Sequence, residues 1–182
     1  MLRWHHDHPE ASEILIGETP LVGERLMELA RPRSDAVEPL LAGDATVFLV
    51  PVPSREVRRA IEEARARDVA DARDAKSAAP HLVSAHWREL ERIARDIGIG
   101  ARASGAYDPG LYAEVYRRLL RHRRTAILSL DLILPVSTSA HELATGATEI
   151  VPSPSEVAAA MAEVGRLTET EIERRAAEWY RE

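Results

Sequence analysis

Apolar residues recur every three or four positions along most of this chain, with charged residues between them, and only a few short stretches turn into continuous apolar runs. The first spacing marks amphipathic helices, and the second marks buried strands. Leu21, Leu26, Leu29 and Ala30, with Glu24 and Glu28 on the wet side, predict a helix that stops at Pro32. Ser54 is placed to cap a long helix whose apolar stripe is Val57, Ile61 and Ala64, which turns Arg55, Arg58, Arg59 and Glu62 outward. Val83, Trp87, Leu90, Ala94 and Ile97 give a broader buried stripe between Pro80 and Gly98. Asp108-Pro109 reads as a cap followed by proline in the first turn, ahead of Leu111, Val115 and Leu119. Ser139 with Glu142, Ser153 with Glu156 and Thr168 with Glu171 have the capping-box spacing, and the last two helices carry Val157, Met161 and Val164, then Ile172, Ala176 and Trp179.

Four segments read as strands. They are Glu13-Ile14-Leu15-Ile16-Gly17, then Thr46 to Val50 with Pro51 and Pro53 as its stop, a stretch within Thr125 to Pro135, and a short one at Thr148 to Val151. Residues 32 to 44 predict a loop with one helical turn, Asp68 to Ala79 an exposed helical extension, and Gly98 to Gly105 a flexible connection. Residues 1 to 12 read as a flexible terminal segment. Strands separated by long helices favour crossovers between parallel neighbours. The expectation is a single helix-rich α/β domain over residues 1 to 182, with a small, mainly parallel sheet of three to four strands covered by helices. Ligands of such sheets bind at the carboxyl ends of the strands.

Composition narrows this picture. At 182 residues and 45% apolar content, the chain has enough material for one core. Its net charge of −6 argues against general nucleic-acid binding, and the absence of cysteine leaves no disulfide and no thiolate ligand. Any redox chemistry would therefore rest on a bound cofactor, which the residues do not name. The longest apolar stretch, Thr125 to Ala140, is short and interrupted by Asp131, so no membrane span is expected. Met1 to His8 lacks the apolar run of a secretory signal, which points to a cytoplasmic location.

Three groups of residues could carry chemistry. His5, His6 and His8, with Asp7 and Glu10, are metal-ligand types, but adjacent positions rarely converge on one ion. The glycines from Gly98 to Gly105 follow a helix rather than a strand and lack the Lys-Ser/Thr ending of a phosphate loop. The more coherent set is Glu18 after the first strand, Arg25 on the next helix, Arg55, Arg58 and Arg59 after the second strand, and Asp131 at the third. In a parallel sheet several of these converge at one edge, where arginine forks suit phosphate or carboxylate.

The order Gly17-Glu18-Thr19-Pro20, then Val47-Phe48-Leu49-Val50-Pro51-Val52-Pro53 leading into Ser54-Arg55-Glu56-Val57-Arg58-Arg59, and later Val151-Pro152-Ser153-Pro154-Ser155-Glu156-Val157 opening a final helix, resembles the later portion of P-loop nucleoside and nucleotide kinases. The resemblance spans residues 13 to 165. It implies lid-type phosphate contacts at Arg55, Arg58 and Arg59 and a substrate or metal contact at Glu18. The family's Gly-x-x-x-x-Gly-Lys-Ser/Thr loop is absent, and the only lysine is Lys76, so ATP-dependent phosphotransfer would need that loop from elsewhere. The leading expectation is recognition of an anionic, phosphate-bearing small molecule. The alternatives are an interaction or scaffold protein acting through a second copy or a complementary protein, and a small metal-dependent hydrolase using the N-terminal histidines.

Overall fold

A computed structural model describes residues 1–8, 14–70, 80–100, 105–133 and 152–181. Within these lie helices α1 (Leu2–Asp7), α2 (Glu24–Ala30), α3 (Glu38–Ala42), α4 (Arg55–Ala70), α5 (Pro80–Asp96), α6 (Pro109–Leu119), α7 (Pro154–Val164) and α8 (Glu169–Ala177), and strands β1 (Phe48–Pro53) and β2 (Thr125–Leu130). The class is α/β and helix-rich, as the residue pattern implies, but the sheet among the described residues has two strands rather than three or four. The chain divides into two compact units. One comprises Met1–Glu28, Asp35–Val37 and Pro135–Glu182, and the other Leu29–Ser34 and Glu38–Leu134.

The second unit holds the sheet. β1 and β2 run parallel in the register Phe48↔Thr125 to Pro53↔Leu130. Val50 and Val52 point into the core, where Val57 of α4, Val83, Trp87, Leu90, Ile93 and Ala94 of α5, and Tyr112, Val115, Tyr116 and Leu119 of α6 are also buried. Each such aliphatic side chain contributes about 1.5–3 kcal/mol by leaving water. Asp108 caps α6 by accepting from the backbone N–H groups of Gly110 (2.8 Å) and Leu111 (3.2 Å), and Gly98 ends the α5 segment with φ +74°. That left-handed conformation is open to glycine at no steric cost.

β1 departs from its sequence reading by running through Pro51 and Pro53 instead of stopping before them. The ladder explains this. The N–H of Phe48 donates to Arg124 O (2.8 Å) and that of Ser54 to Leu130 O (2.7 Å), so the even-numbered residues of this stretch turn their backbone toward β2. Pro51 and Pro53 fall on the alternate positions, where no donor toward β2 is required.

In the first unit, α7 and α8 begin at their expected caps. Glu156 N donates to Ser153 Oγ (3.3 Å), and Ser153 N to Glu156 Oε2 (2.5 Å), while Glu171 N donates to Thr168 Oγ1 (3.3 Å). Trp179 and Tyr180 are buried and meet edge-on at 5.8 Å. Residues 2 to 7, read as flexible from sequence, form α1, with His8 stacked on Trp4 at 5.0 Å. Residues 14 to 17 form no strand. Ile14 and Ile16 stand 82% and 85% exposed, so this apolar run is not buried as a strand of a covered sheet would be. The strand expected at Thr148 to Val151 and the cap pair Ser139 and Glu142 lie outside the described residues. No described helix is long and apolar enough to cross a membrane.

Candidate functional site

The carboxyl end of β1 is where polar groups of the second unit gather. Ser54, immediately after the strand, binds β2 through its N–H and caps α4 through its hydroxyl, which accepts from Val57 N (3.2 Å). Arg55 and Asp131 therefore sit one residue beyond a hydrogen-bonded pair, at the same edge of the sheet. Both are exposed. Tyr107, in the turn before α6, fastens this edge by donating its hydroxyl to Pro53 O (2.9 Å), and its carbonyl accepts from Arg55 Nε (3.3 Å).

The three arginines of α4 separate into two kinds. Arg55 and Arg59 are exposed and one turn apart, so they share a helix face. Arg58 is not on the wet face that the apolar stripe implied. Its side chain is only 11% exposed, and it donates from Nε to Glu62 (2.8 Å) and from Nη2 to Val83 O on α5 (2.7 Å), with its guanidinium 5.1 Å from the centre of the Tyr107 ring. It ties α4 to α5. Glu56, exposed beside it, is held below the usual carboxylate range by a hydrogen bond to its own backbone N–H and by the Ser54 hydroxyl. A carboxylate of the chain itself thus already sits at the start of α4.

Behind Arg58 lies an aromatic cluster. Trp87 meets Tyr107 at 5.2 Å, Tyr107 meets Tyr112 at 5.8 Å, and Tyr112 meets Tyr116 at 4.8 Å. Burial pushes all three tyrosine hydroxyls above their ordinary range, which keeps them protonated donors. His86 Nε2 lies 3.2 Å from Tyr116 Oη, and desolvation, followed by the Arg58 charge, lowers its pKa to about 4. It is a neutral imidazole at pH 7.

That shift gives acid lability a sign. The folded chain resists protonation of His86, so this contribution is complete above pH 6.5 and is lost as pH falls toward 4. After discounting for partial exposure it amounts to roughly 2 kcal/mol. Urea unfolding of wild type and His86→Gln at pH 7 and pH 4.5 should show the smaller loss in the variant, and equal losses would refute the assignment. Glu38 and Glu171, each held at about 2 by arginine hydrogen bonds, act in a lower window. Their contribution is present above pH 4.5 and fades toward 2.

Glu18 and Arg25 are exposed residues of the first unit, Glu18 in irregular chain and Arg25 on α2. His6 Nδ1 lies 3.0 Å from Asp7, His8 Nδ1 lies 2.9 Å from Trp4 O, and His5 is exposed. Among the described residues no three metal-ligating side chains converge.

No family model, curated protein or solved structure matches this chain.

Two residues that sequence reasoning passed over organise the second unit. Tyr107 had only its place before the Asp108 cap as a signal. Arg123 lies in the arginine-rich stretch from Arg117 to Arg124, yet it is buried. Its guanidinium donates to Leu29 O (2.5 Å), Arg31 O (2.7 Å) and both carboxylate oxygens of Glu38 (2.7 and 2.9 Å).

Proposed function

We propose that this chain recognises an anionic, phosphate-bearing small molecule at the carboxyl edge of its parallel strands. The observation that carries the reading is the pair Arg55 and Arg59, exposed on one face of the first turns of α4 as that helix leaves β1. Two guanidinium forks one turn apart can share the oxygens of a single phosphate. Arg58 supports this indirectly, because its bonds to Glu62 and Val83 hold the start of α4 in place. Asp131, exposed at the same edge, belongs to this reading as a polar partner. Phosphotransfer itself would need a phosphate loop that this chain does not carry.

Charge reversal at Arg55 and Arg59 together should lower affinity for a phosphate-bearing ligand by well over about tenfold. Stability should change by about 1 kcal/mol at most, since both side chains are exposed. Calorimetric titration against a nucleotide and sugar-phosphate panel, with parallel melts, measures both quantities. Absence of binding by the wild type at millimolar concentration, or equal binding by the variant, would sink the reading.

A second reading, an interaction protein that works through a second copy, is favoured by the sheet. Leu49 is 65% and Leu128 50% exposed, on the face opposite Val50 and Val52, although parallel sheets ordinarily have both faces covered.

A further inference from the structure

Of the two exposed arginines at the start of α4, Arg55 has its orientation set by the chain itself. Its Nε donates to the carbonyl of Tyr107 (3.3 Å), 52 positions along the sequence. A free arginine side chain carries rotamer freedom that an anion must remove on binding. A bond at Nε removes part of it beforehand. It also leaves the terminal pair Nη1 and Nη2 as the outer edge of the fork, an edge that can meet two oxygens of one phosphate.

The carbonyl that receives Arg55 is held in turn through the Tyr107 side chain. The hydroxyl donates to Pro53 O (2.9 Å) at the end of β1, and the ring stands edge-on to Trp87 of α5 (5.2 Å) and Tyr112 of α6 (5.8 Å). The Arg58 guanidinium lies 5.1 Å from the ring centre, so α4 meets the same residue a second time. Asp108, the next residue, caps α6. One half-buried side chain thus references the first turn of α4 to the strand end and to both neighbouring helices.

We propose that Tyr107 is a positioning residue for anion recognition, holding the Arg55 guanidinium with its terminal nitrogens outward before the ligand arrives. This rests on the anion reading given above. Tyr107 acts through Arg55 rather than on the ligand, so its effect on affinity must disappear when Arg55 is replaced.

The test is a double-mutant cycle on the full chain, read by NMR titration with inorganic pyrophosphate. Tyr107→Phe keeps the ring and its packing and removes only the bond to Pro53. It should weaken pyrophosphate binding roughly threefold, and Tyr107→Leu, which loses the ring as well, roughly tenfold. Arg55→Lys keeps the charge on a stem with no N–H to be held, and in that background neither substitution should lower affinity further. In the free chain, the Arg55 Nε–H should exchange with water more slowly in the wild type than in Tyr107→Phe. Equal losses in both backgrounds would mean a general effect on the fold and would overturn the positioning role. Unchanged affinity in Tyr107→Phe, or Nε–H exchange as fast in the wild type, would overturn it too while leaving the anion reading in place. A wild type that binds no pyrophosphate at millimolar concentration removes the anion reading and this inference with it. If Tyr107→Leu does not fold, Tyr107→Phe decides the matter alone.

Discussion

Replacing Arg123 by methionine is expected to cost about 3–5 kcal/mol of stability, the usual result of removing one member of a buried ion pair. The side chain of Arg123 is 0% exposed and that of Glu38 20%, with Nη1 2.7 Å from the carboxylate. The same guanidinium satisfies the carbonyls of Leu29 and Arg31, so one substitution removes donors from three backbone or side-chain groups at once. Methionine matches the length of the stem and supplies no N–H. Lysine keeps the charge but not the fork, so Arg123→Lys should fall between the two. Arg123→Met combined with Glu38→Leu should recover part of the loss, because the carboxylate no longer waits for its cation. Urea unfolding of the three variants measures these differences, and a loss under about 1 kcal/mol for Arg123→Met would show that the clamp is dispensable.

Arg58→Glu should destabilise by about 3 kcal/mol or more, whereas Arg59→Glu, one residue along, should stay within about 0.5 kcal/mol. In the first case a carboxylate replaces a guanidinium that is mostly buried, next to Glu62 and against the carbonyl of Val83. Two acidic groups and a carbonyl oxygen then share one space without a donor. In the second case the new charge stays in water. Thermal melts of the two variants side by side give the contrast directly, and similar melting temperatures would mean that Arg58 is not the tie between α4 and α5.

The helices were legible in the sequence because their signals are local. A cap such as Asp108-Pro109 or Ser153-Pro154 and a stripe at three- to four-residue spacing involve neighbours within two turns, and α4 to α8 start where those signals stand. The sheet was less legible. Whether Pro51 and Pro53 end a strand depends on which way their backbone faces, and that is set by β2, more than seventy residues away in register. The run Ile14 to Ile16 carries strand-forming residues, yet it is irregular and largely exposed. At the candidate site, Arg55 and Arg59 stand outward as the stripe of α4 implied. Arg58 does not, because α5 covers that side of the helix, and a helical wheel contains no information about the neighbour. Arg123 escaped for the same reason, since nothing distinguishes it locally from Arg121 and Arg124.

The Arg123 clamp also orders the events of folding. It joins residues 85 to 94 positions apart, and the β1–β2 pair joins strands nearly as distant. Closing such loops costs chain entropy before any contact compensates, and that cost grows with the logarithm of loop length. The helices α4, α5 and α6 meet over shorter loops, with Arg58 and Val83 25 positions apart, so their docking costs less chain entropy than the parallel pair and the clamp. Arg123 thus acts as the latch on a finished topology rather than a seed of it.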